Sequence, residues 1–137
     1  MKRVLVFGVF DGIHNGHRSF LREAGGKGDY LIAVVARNEV VELLKNKEPL
    51  KNLAQRMTEL ESESIVDLVV PGDVKIGSWA VIEKYKPDVV ALGYDQVALK
   101  TALEEFFREA ARKVDIAVMK PHQPERYHSS IIQEMGR

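Results

Sequence analysis

The sequence has no cysteine, no net charge of either sign and no long hydrophobic run. Without cysteine, the chain has no disulfides, no thiolate metal ligands and no thiol nucleophile. The 20 basic and 20 acidic side chains balance, which argues against a nucleic-acid-binding protein or one that binds a membrane surface. No stretch reaches the roughly 20 apolar residues that a transmembrane helix needs. The apolar run at the N-terminus is too short for a signal peptide, so we expect a cytoplasmic protein.

The length of 137 residues fits one domain, which we expect to span 1–137. Short apolar runs rich in β-branched residues alternate with stretches of helical spacing. The predicted strands are 4–9, 30–36, 66–70, 89–92 and 114–119. The predicted helices are 16–25, 38–44, 53–64, 76–85, 97–113 and 129–135. This alternation predicts an α/β fold: a Rossmann-like, doubly wound sheet of five parallel strands with helices on both faces.

The loop after the first predicted strand carries the most chemistry. It places His14, Gly16 and His17 at a helix start, where backbone N–H groups and the helix dipole attract anions. Two imidazoles three residues apart face the same side, and Gly16 lets a phosphate approach the backbone. Ligands of open α/β sheets bind beyond the carboxyl ends of the strands, which favours a phosphate site here. A zinc pair would need further ligands, but there is no cysteine, and His122 and His128 lie far along the chain.

The segment 8–17 resembles the signature of the cytidylyltransferase-like nucleotidyltransferases, Gly-x-Phe-Asp-x-x-His-x-Gly-His. The matching residues are Gly8, Phe10, Asp11, His14, Gly16 and His17. The resemblance continues in a second-strand block at 35–39 followed by Lys45 and Pro49, in the pair Gln55-Arg56, and in Ser129-Ser130 at the start of the last predicted helix. In the second-strand block, Asn38 replaces the family's Asp. The resemblance therefore covers almost the whole chain.

The resemblance implies transfer of a nucleoside monophosphate from a triphosphate to a phosphate-bearing small molecule, with release of pyrophosphate. It implies catalytic roles for His14, His17 and Lys45, with Lys45 neutralising the attacking phosphate. The implied nucleotide contacts are Val9, Phe10, His14, Asn15, Gly16, His17, Asp95, Arg126, Ser129 and Ser130. Mg²⁺ or another divalent metal would accompany the triphosphate, and the protein would hold no metal of its own. On composition alone, Lys45 is a solvated loop lysine, Ser129 and Ser130 cap a helix, and Trp79 is a packing residue.

Two groups within the family compete for this chain. The segments 92–96 and 128–130 are similar to the Gly-Pro-Asp-Gln and His-Ser-Ser of the archaeal-type FAD synthases, which adenylylate FMN. Glycerol-3-phosphate cytidylyltransferases tend to have Gly-Asp-Asp-Trp at the first place and a longer Ser/Thr-rich motif at the second. We therefore favour ATP and FMN over CTP and glycerol 3-phosphate, although Tyr94 replaces the Pro of the FAD synthases. A non-catalytic nucleotide-binding sensor and a flavodoxin-like carrier stay open, as does a homodimer, which is common in the family.

Overall fold

The computed structural model describes residues 1–121, so the predicted last helix at 129–135 lies outside the described part. The strands are β1 (Arg3–Gly8), β2 (Tyr30–Val35), β3 (Leu68–Pro71), β4 (Val89–Leu92) and β5 (Asp115–Val118). The helices are α1 (Asn15–Gly25), α2 (Asn38–Lys45), α3 (Leu53–Glu61), α4 (Ala80–Tyr85) and α5 (Val97–Glu109). None of these helices is long and apolar enough to cross a bilayer.

The five strands form one parallel sheet in the order β3-β2-β1-β4-β5. The chain builds the sheet outward from β1 to one edge and then crosses back to β4, which makes the β1/β4 boundary the topological switch point. Pairing of β1 with β2 extends from Arg3 to Gly8, whereas pairing with β4 covers only Val4 to Val6. Beyond Val6, β1 is therefore still paired with β2 but no longer paired with β4.

Each face of the sheet carries its own apolar layer. Val4 and Val6 lie in the layer formed with α1 and α3, and Leu5 lies in the opposite layer formed with α4 and α5. Both layers bury large aliphatic and aromatic side chains, each worth about 1.5–3 kcal/mol relative to exposure. Because both faces are covered, the strands are apolar at successive positions rather than at alternate ones. The predicted doubly wound sheet of five parallel strands with helices on both faces is confirmed.

Two predicted helices are too long, because backbone conformation interrupts them. Helix α4 begins at Ala80 and not at residue 76, since Gly77 and Trp79 have φ angles of +84° and +55°. Helix α5 ends at Glu109 and not at residue 113, since Ala111 has a φ angle of +53°. Left-handed residues cannot continue a right-handed helix. The other described elements match the predicted ranges to within three residues at each end.

Candidate active site

The two histidines of the first loop lie face to face at the start of α1. His14 is the N-cap residue and His17 is the third residue of the helix. Their ring centroids are 3.8 Å apart and the ring planes are inclined by 27°. The Nδ1 atom of His14 accepts hydrogen bonds from the backbone N–H groups of Gly16, at 3.0 Å, and His17, at 3.3 Å. In return, Nδ1 of His17 accepts the backbone N–H of His14 at 3.3 Å, which completes a capping box built from imidazoles.

These hydrogen bonds determine which nitrogen of each neutral ring carries the proton. A ring nitrogen that accepts a backbone N–H uses its lone pair to do so, and the proton must then be on the other nitrogen. We therefore assign the Nε2–H tautomer to both His14 and His17. Each ring is a hydrogen-bond donor at Nε2, and both donors belong to a helix N-terminus, where the dipole already favours an anion.

Phe10 supports this pair from the core. Its side chain is fully buried, and its ring centroid is 5.6 Å from that of His17. His17 is itself 1% exposed, while His14 is half-buried and Asn15 is exposed. Phe10 has a φ angle of +53°, a left-handed conformation that costs about 1–2 kcal/mol in a non-glycine residue. The chain adopts this conformation where it leaves β1 and enters the histidine loop.

A buried arginine, Arg56 of α3, connects the first two strands beneath the loops. The guanidinium donates hydrogen bonds to the carbonyl oxygens of Val9 (2.9 Å), Ala36 (2.7 Å) and Lys51 (2.9 Å) and to the side-chain oxygen of Asn38 (2.6 Å). Burial lowers the pKa of Arg56 below its ordinary value, and the carboxylate of Asp11 opposes that shift. Arginine keeps its charge at any ordinary pH, so this site holds a buried positive charge directly below Val9.

Asp11 fixes the loop that precedes α3. Its two carboxylate oxygens accept the backbone N–H groups of Leu50, at 2.7 Å, and Lys51, at 2.9 Å. The motif includes Asp11, but the sequence gives it no role, because its partners lie about 40 residues away. Together with Arg56, Asp11 makes the histidine loop and the segment before α3 one connected unit.

A cavity of about 440 Å³ opens at the carboxyl ends of β1 to β4. Its apolar lining consists of Phe7, Val9, Val34, Val40, Leu44, Ile76, Trp79 and Leu99, with Gly8, Ala36, Gly72 and Gly77. Its polar lining consists of Arg37, Lys45, Asp73, Lys75, Asp95 and Gln96. Two of the charged residues have structural roles, because Arg37 donates to the carbonyl of Gly72 at 2.8 Å and Asp73 accepts the backbone N–H of Val81 at 3.0 Å. The ammonium groups of Lys45 and Lys75 make no ion pair within residues 1–121.

The residues predicted for the site therefore fall into three groups. Val9, Lys45 and Asp95 line the cavity. His14, Asn15, Gly16 and His17 with Phe10 form the adjoining loop and helix start, which follow Val9 directly. Arg126, Ser129 and Ser130 lie outside the described residues. No three His, Asp or Glu side chains are grouped as metal ligands in the described part of the chain.

Three kinds of comparison relate the chain to known proteins. The model of the cytidylyltransferase-like family matches residues 5–135. An FAD synthase of Aciduliprofundum boonei is 42% identical over 122 residues, which cover 89% of this chain and 80% of that protein. An FAD synthase of Ferroglobus placidus is 45% identical over 114 residues, covering 82% and 70% of the two chains. An FAD synthase of Pyrococcus abyssi is 41% identical over 114 residues, covering 83% and 77%.

Two solved structures share the fold of this chain. The lipopolysaccharide core biosynthesis protein of Thermoplasma volcanium superposes with a TM-score of 0.83 at 29% identity, covering 90% of this chain and 99% of that one. A pantoate-beta-alanine ligase of Francisella tularensis superposes with a TM-score of 0.64 at 15% identity, covering 90% and 60%, which shows a shared fold. The family model, the curated relatives and the fold agree: the chain belongs to the cytidylyltransferase-like family and is a nucleotidyltransferase.

Proposed function

We propose that this nucleotidyltransferase transfers the AMP group of ATP to FMN, forming FAD and pyrophosphate. The observation that carries the choice of acceptor is the apolar cavity of about 440 Å³ beside the histidine loop. Its volume falls in the range of about 300–1,000 Å³ that small organic ligands occupy in proteins. The similarity to FAD synthases along 80% of one relative's length supports the same acceptor.

The chemistry of the cavity lining favours a flat aromatic acceptor over a small polyol. Burying the isoalloxazine ring of FMN against apolar walls gains about 25 cal/mol per Å². Glycerol 3-phosphate offers hydroxyl groups instead, which lose water without gaining partners on such walls. Trp79 lines the cavity and also stacks on Phe106, with ring centroids 5.4 Å apart and planes inclined by 25°. We assign the indole of Trp79, held in place by Phe106, as the surface on which the flavin ring stacks.

In the proposed reaction, an oxygen of the FMN phosphate attacks the α-phosphorus of ATP and forms a new P–O bond. The bond from the α-phosphorus to the bridging oxygen breaks, and pyrophosphate leaves with the electron pair. Lys45, on the cavity wall at the end of α2, neutralises the attacking phosphate. The Nε2–H donors of His14 and His17 and the N-terminus of α1 stabilise the charge that develops on the α-phosphate. Such chemistry needs positioned charges rather than a covalent intermediate.

The remaining contacts of the nucleotide are part of the same proposal. Phe10, Asn15 and Gly16 lie next to the histidines, and Val9 and Asp95 lie on the wall of the cavity. Arg126, Ser129 and Ser130 stay predicted contacts for the β- and γ-phosphates. Mg²⁺ or a similar cation arrives with ATP as part of the substrate and offsets the triphosphate charge. A cytoplasmic location and a homodimer also stay predictions.

The test is a direct comparison of two substrate pairs. The full-length protein is incubated with FMN and MgATP, and separately with glycerol 3-phosphate and MgCTP, while FAD, CDP-glycerol and pyrophosphate are quantified. We expect FAD and pyrophosphate in equal amounts from the first pair only. CDP-glycerol without FAD would assign the chain to the cytidylyltransferases. Nucleotide binding without pyrophosphate from either pair would favour the sensor.

A further inference from the structure

The side chain of Gln96 is inserted between β1 and β4 at their carboxyl ends. Its Oε1 atom accepts the backbone N–H of Gly93 at 2.8 Å, and its Nε2 atom donates to the carbonyl of Phe7 at 3.0 Å. Phe7 is the second-to-last residue of β1, and Gly93 follows the last residue of β4. One amide group thus bridges two strands whose own pairing has already stopped.

The inserted amide stands where a backbone hydrogen bond of the sheet would otherwise form. Carbonyl groups alternate sides along a strand, and the carbonyl of Gly8 bonds to Ala36 after β2, so the carbonyl of Phe7 faces β4. With Val6 paired to Ala91, the next bond of this parallel ladder would join the Gly93 N–H to the Phe7 carbonyl. Gln96 satisfies both groups without letting them meet.

The other three pairs of neighbouring strands, β1/β2, β2/β3 and β4/β5, have no such inserted side chain at their carboxyl ends within residues 1–121. Each is extended beyond its strands by a direct backbone bond: Ala36 N–H to Gly8 O at 3.0 Å, Gly72 N–H to Val35 O at 2.7 Å, and Met119 N–H to Leu92 O at 2.8 Å. Among the four strand pairs of the sheet within residues 1–121, the switch point, where ligands of doubly wound sheets bind, is the one at which a side chain takes the place of this backbone bond. The opening is therefore a specific feature of the β1/β4 boundary and not fraying of the sheet end.

We infer that Gln96 is a positioning residue that sets the distance between the two halves of the active site. The histidine loop follows β1, and the Asp95 segment follows β4, so the inserted amide fixes their lateral separation. Gln96 also lines the cavity beside both segments. The inference rests on the proposed function in one respect, that nucleotide and acceptor bind to these two halves. Misplacement of reacting groups by about 1 Å can lower a rate by about 100-fold while each group remains bound.

Three substitutions separate the two hydrogen bonds from the volume of the side chain. Gln96→Glu keeps the acceptor for Gly93 but places a carboxylate oxygen against the Phe7 carbonyl. Gln96→Met fills a similar volume and makes neither bond. Gln96→Ala removes the insertion, so that the strands can pair directly. The matched control is Gln55→Met, because the exposed Gln55 side chain also accepts a backbone N–H, that of Asn52 at 3.0 Å, but does not line the cavity.

The experiment measures kcat for all four variants together with the Kd of each substrate bound alone. MgATP binding is measured by calorimetry without acceptor, and FMN binding by flavin fluorescence without nucleotide. For Gln96→Met we expect kcat to fall by about 30-fold or more while each Kd changes by less than about threefold. Gln96→Glu should behave similarly, and Gln55→Met should retain the wild-type kcat. A crystal structure of Gln96→Ala should show the Gly93 N–H bonded to the Phe7 carbonyl at about 2.9 Å.

Two results would overturn the inference. Retention of wild-type kcat in Gln96→Met would show that the separation of the strands has no catalytic consequence. A rise of both Kd values in proportion to a lower melting temperature would show that Gln96 only stabilises the fold. If the wild-type protein makes CDP-glycerol and not FAD, the choice of FMN is wrong. The same kcat and Kd comparison is then made with MgCTP and glycerol 3-phosphate, and the crystal structure tests the inserted amide without any acceptor.

Discussion

The imidazole rings of His14 and His17 exchange hydrogen bonds with each other's backbone, since each Nδ1 atom accepts the N–H group of the other residue at 3.3 Å. The capping box therefore has two functions at once. It satisfies N–H groups at the start of α1, and it leaves the ring proton of both residues at Nε2. Substitutions that keep the cap can consequently remove the Nε2 donor alone.

We expect His14→Asn to separate capping from catalysis. Asparagine is among the best N-cap residues, and its side-chain oxygen can accept the N–H groups that Nδ1 of His14 accepts now. It has no counterpart of Nε2–H in the imidazole position. Loss of such a donor typically costs about 10²–10³ in kcat, or about 2.7–4 kcal/mol of transition-state stabilisation. Pyrophosphate release at saturating substrate concentrations measures kcat. Urea unfolding measures the free energy of unfolding, to which the helix cap contributes.

His14→Ala is the matched comparison, because it removes both functions. Its free energy of unfolding should fall by about 0.5–2 kcal/mol, whereas that of His14→Asn should stay within about 0.5 kcal/mol of the wild type. A His14→Asn protein that turns over at the wild-type rate would remove this imidazole from the mechanism.

A second prediction concerns the buried charge of Arg56. Its shortest hydrogen bond within residues 1–121 is the 2.6 Å bond to the side-chain oxygen of Asn38. The present bond already has one ionised partner, the guanidinium. Asn38→Asp places a carboxylate there, which adds a Coulomb attraction between two ionised groups. Because the guanidinium is already buried, we expect a net gain of about 1 kcal/mol in the free energy of unfolding at pH 7.

This gain depends on pH in a defined direction. The charge of Arg56 favours the ionised carboxylate, so the pKa of the introduced Asp in the folded protein lies below its value in the unfolded chain. Stability from such a group is present above the unfolded pKa and is lost as the pH falls through the folded pKa. Urea unfolding of Asn38→Asp and wild type at pH 7 and in acid checks this, with Asn38→Ala as the control that loses the bond. Equal stability of Asn38→Asp and Asn38→Ala at pH 7 would contradict the prediction.

The sequence predicts the strands and their surroundings well because these depend on local composition. The run at 89–92 is apolar at every position, and such a strand has to lie within a parallel sheet covered on both faces. The paired histidines are also a local signal, since three residues of helix are enough to bring the rings together. The tautomer of the rings, in contrast, depends on hydrogen bonds that spacing alone does not specify.

The connections between loops could not be predicted, because they join residues far apart in the chain. Gln96 bonds to Phe7 across 89 residues, and Arg56 bonds to Val9 across 47. Nothing in the local pattern around either residue distinguishes such a contact from a solvated side chain. The sequence predicts a packing role for Trp79, and Trp79 does stack on Phe106. Its position on the cavity wall, however, depends on the left-handed residues that shorten α4.

The third prediction concerns the stability of a left-handed residue outside the site, Lys86. Lys86 is the C-cap residue that follows α4; it has a φ angle of +47° and is exposed. Glycine adopts this conformation without the cost of about 1–2 kcal/mol that a Cβ atom imposes. We expect Lys86→Gly to raise the free energy of unfolding by about 1 kcal/mol and to leave activity unchanged. Lys84→Gly, two residues earlier inside the helix, should lower it by about 1 kcal/mol, and the same sign for both variants would refute the argument.

Lys45 provides the fourth prediction. It lines the cavity, whereas Lys47, two residues later, is exposed and does not. If the Lys45 ammonium neutralises the phosphate of the acceptor, Lys45→Gln should lower kcat/KM for FMN by about 10²-fold or more, in line with the loss of one charged donor at a reacting phosphate. Lys47→Gln should retain the wild-type value. The Kd of MgATP alone should be the same in both variants, and a selective loss of MgATP binding would instead place Lys45 on the nucleotide.

The last prediction addresses the flavin ring itself. Position 79 has a left-handed φ angle, which costs about as much for alanine as for tryptophan. Trp79→Ala therefore removes the indole and leaves the backbone strain unchanged. Stacking on an aromatic ring adds about 0.5–1.5 kcal/mol to the gain from burial, so we expect the Kd of FMN to rise by about tenfold or more. Trp79→Phe keeps an aromatic face and should bind FMN within about threefold of the wild type.

Flavin fluorescence measures the Kd of FMN for both variants. Because Trp79 is the single tryptophan, quenching of its emission by FMN gives an independent readout in the wild type. An unchanged Kd in Trp79→Ala would contradict the assignment of this wall to the acceptor, even if FAD is still formed.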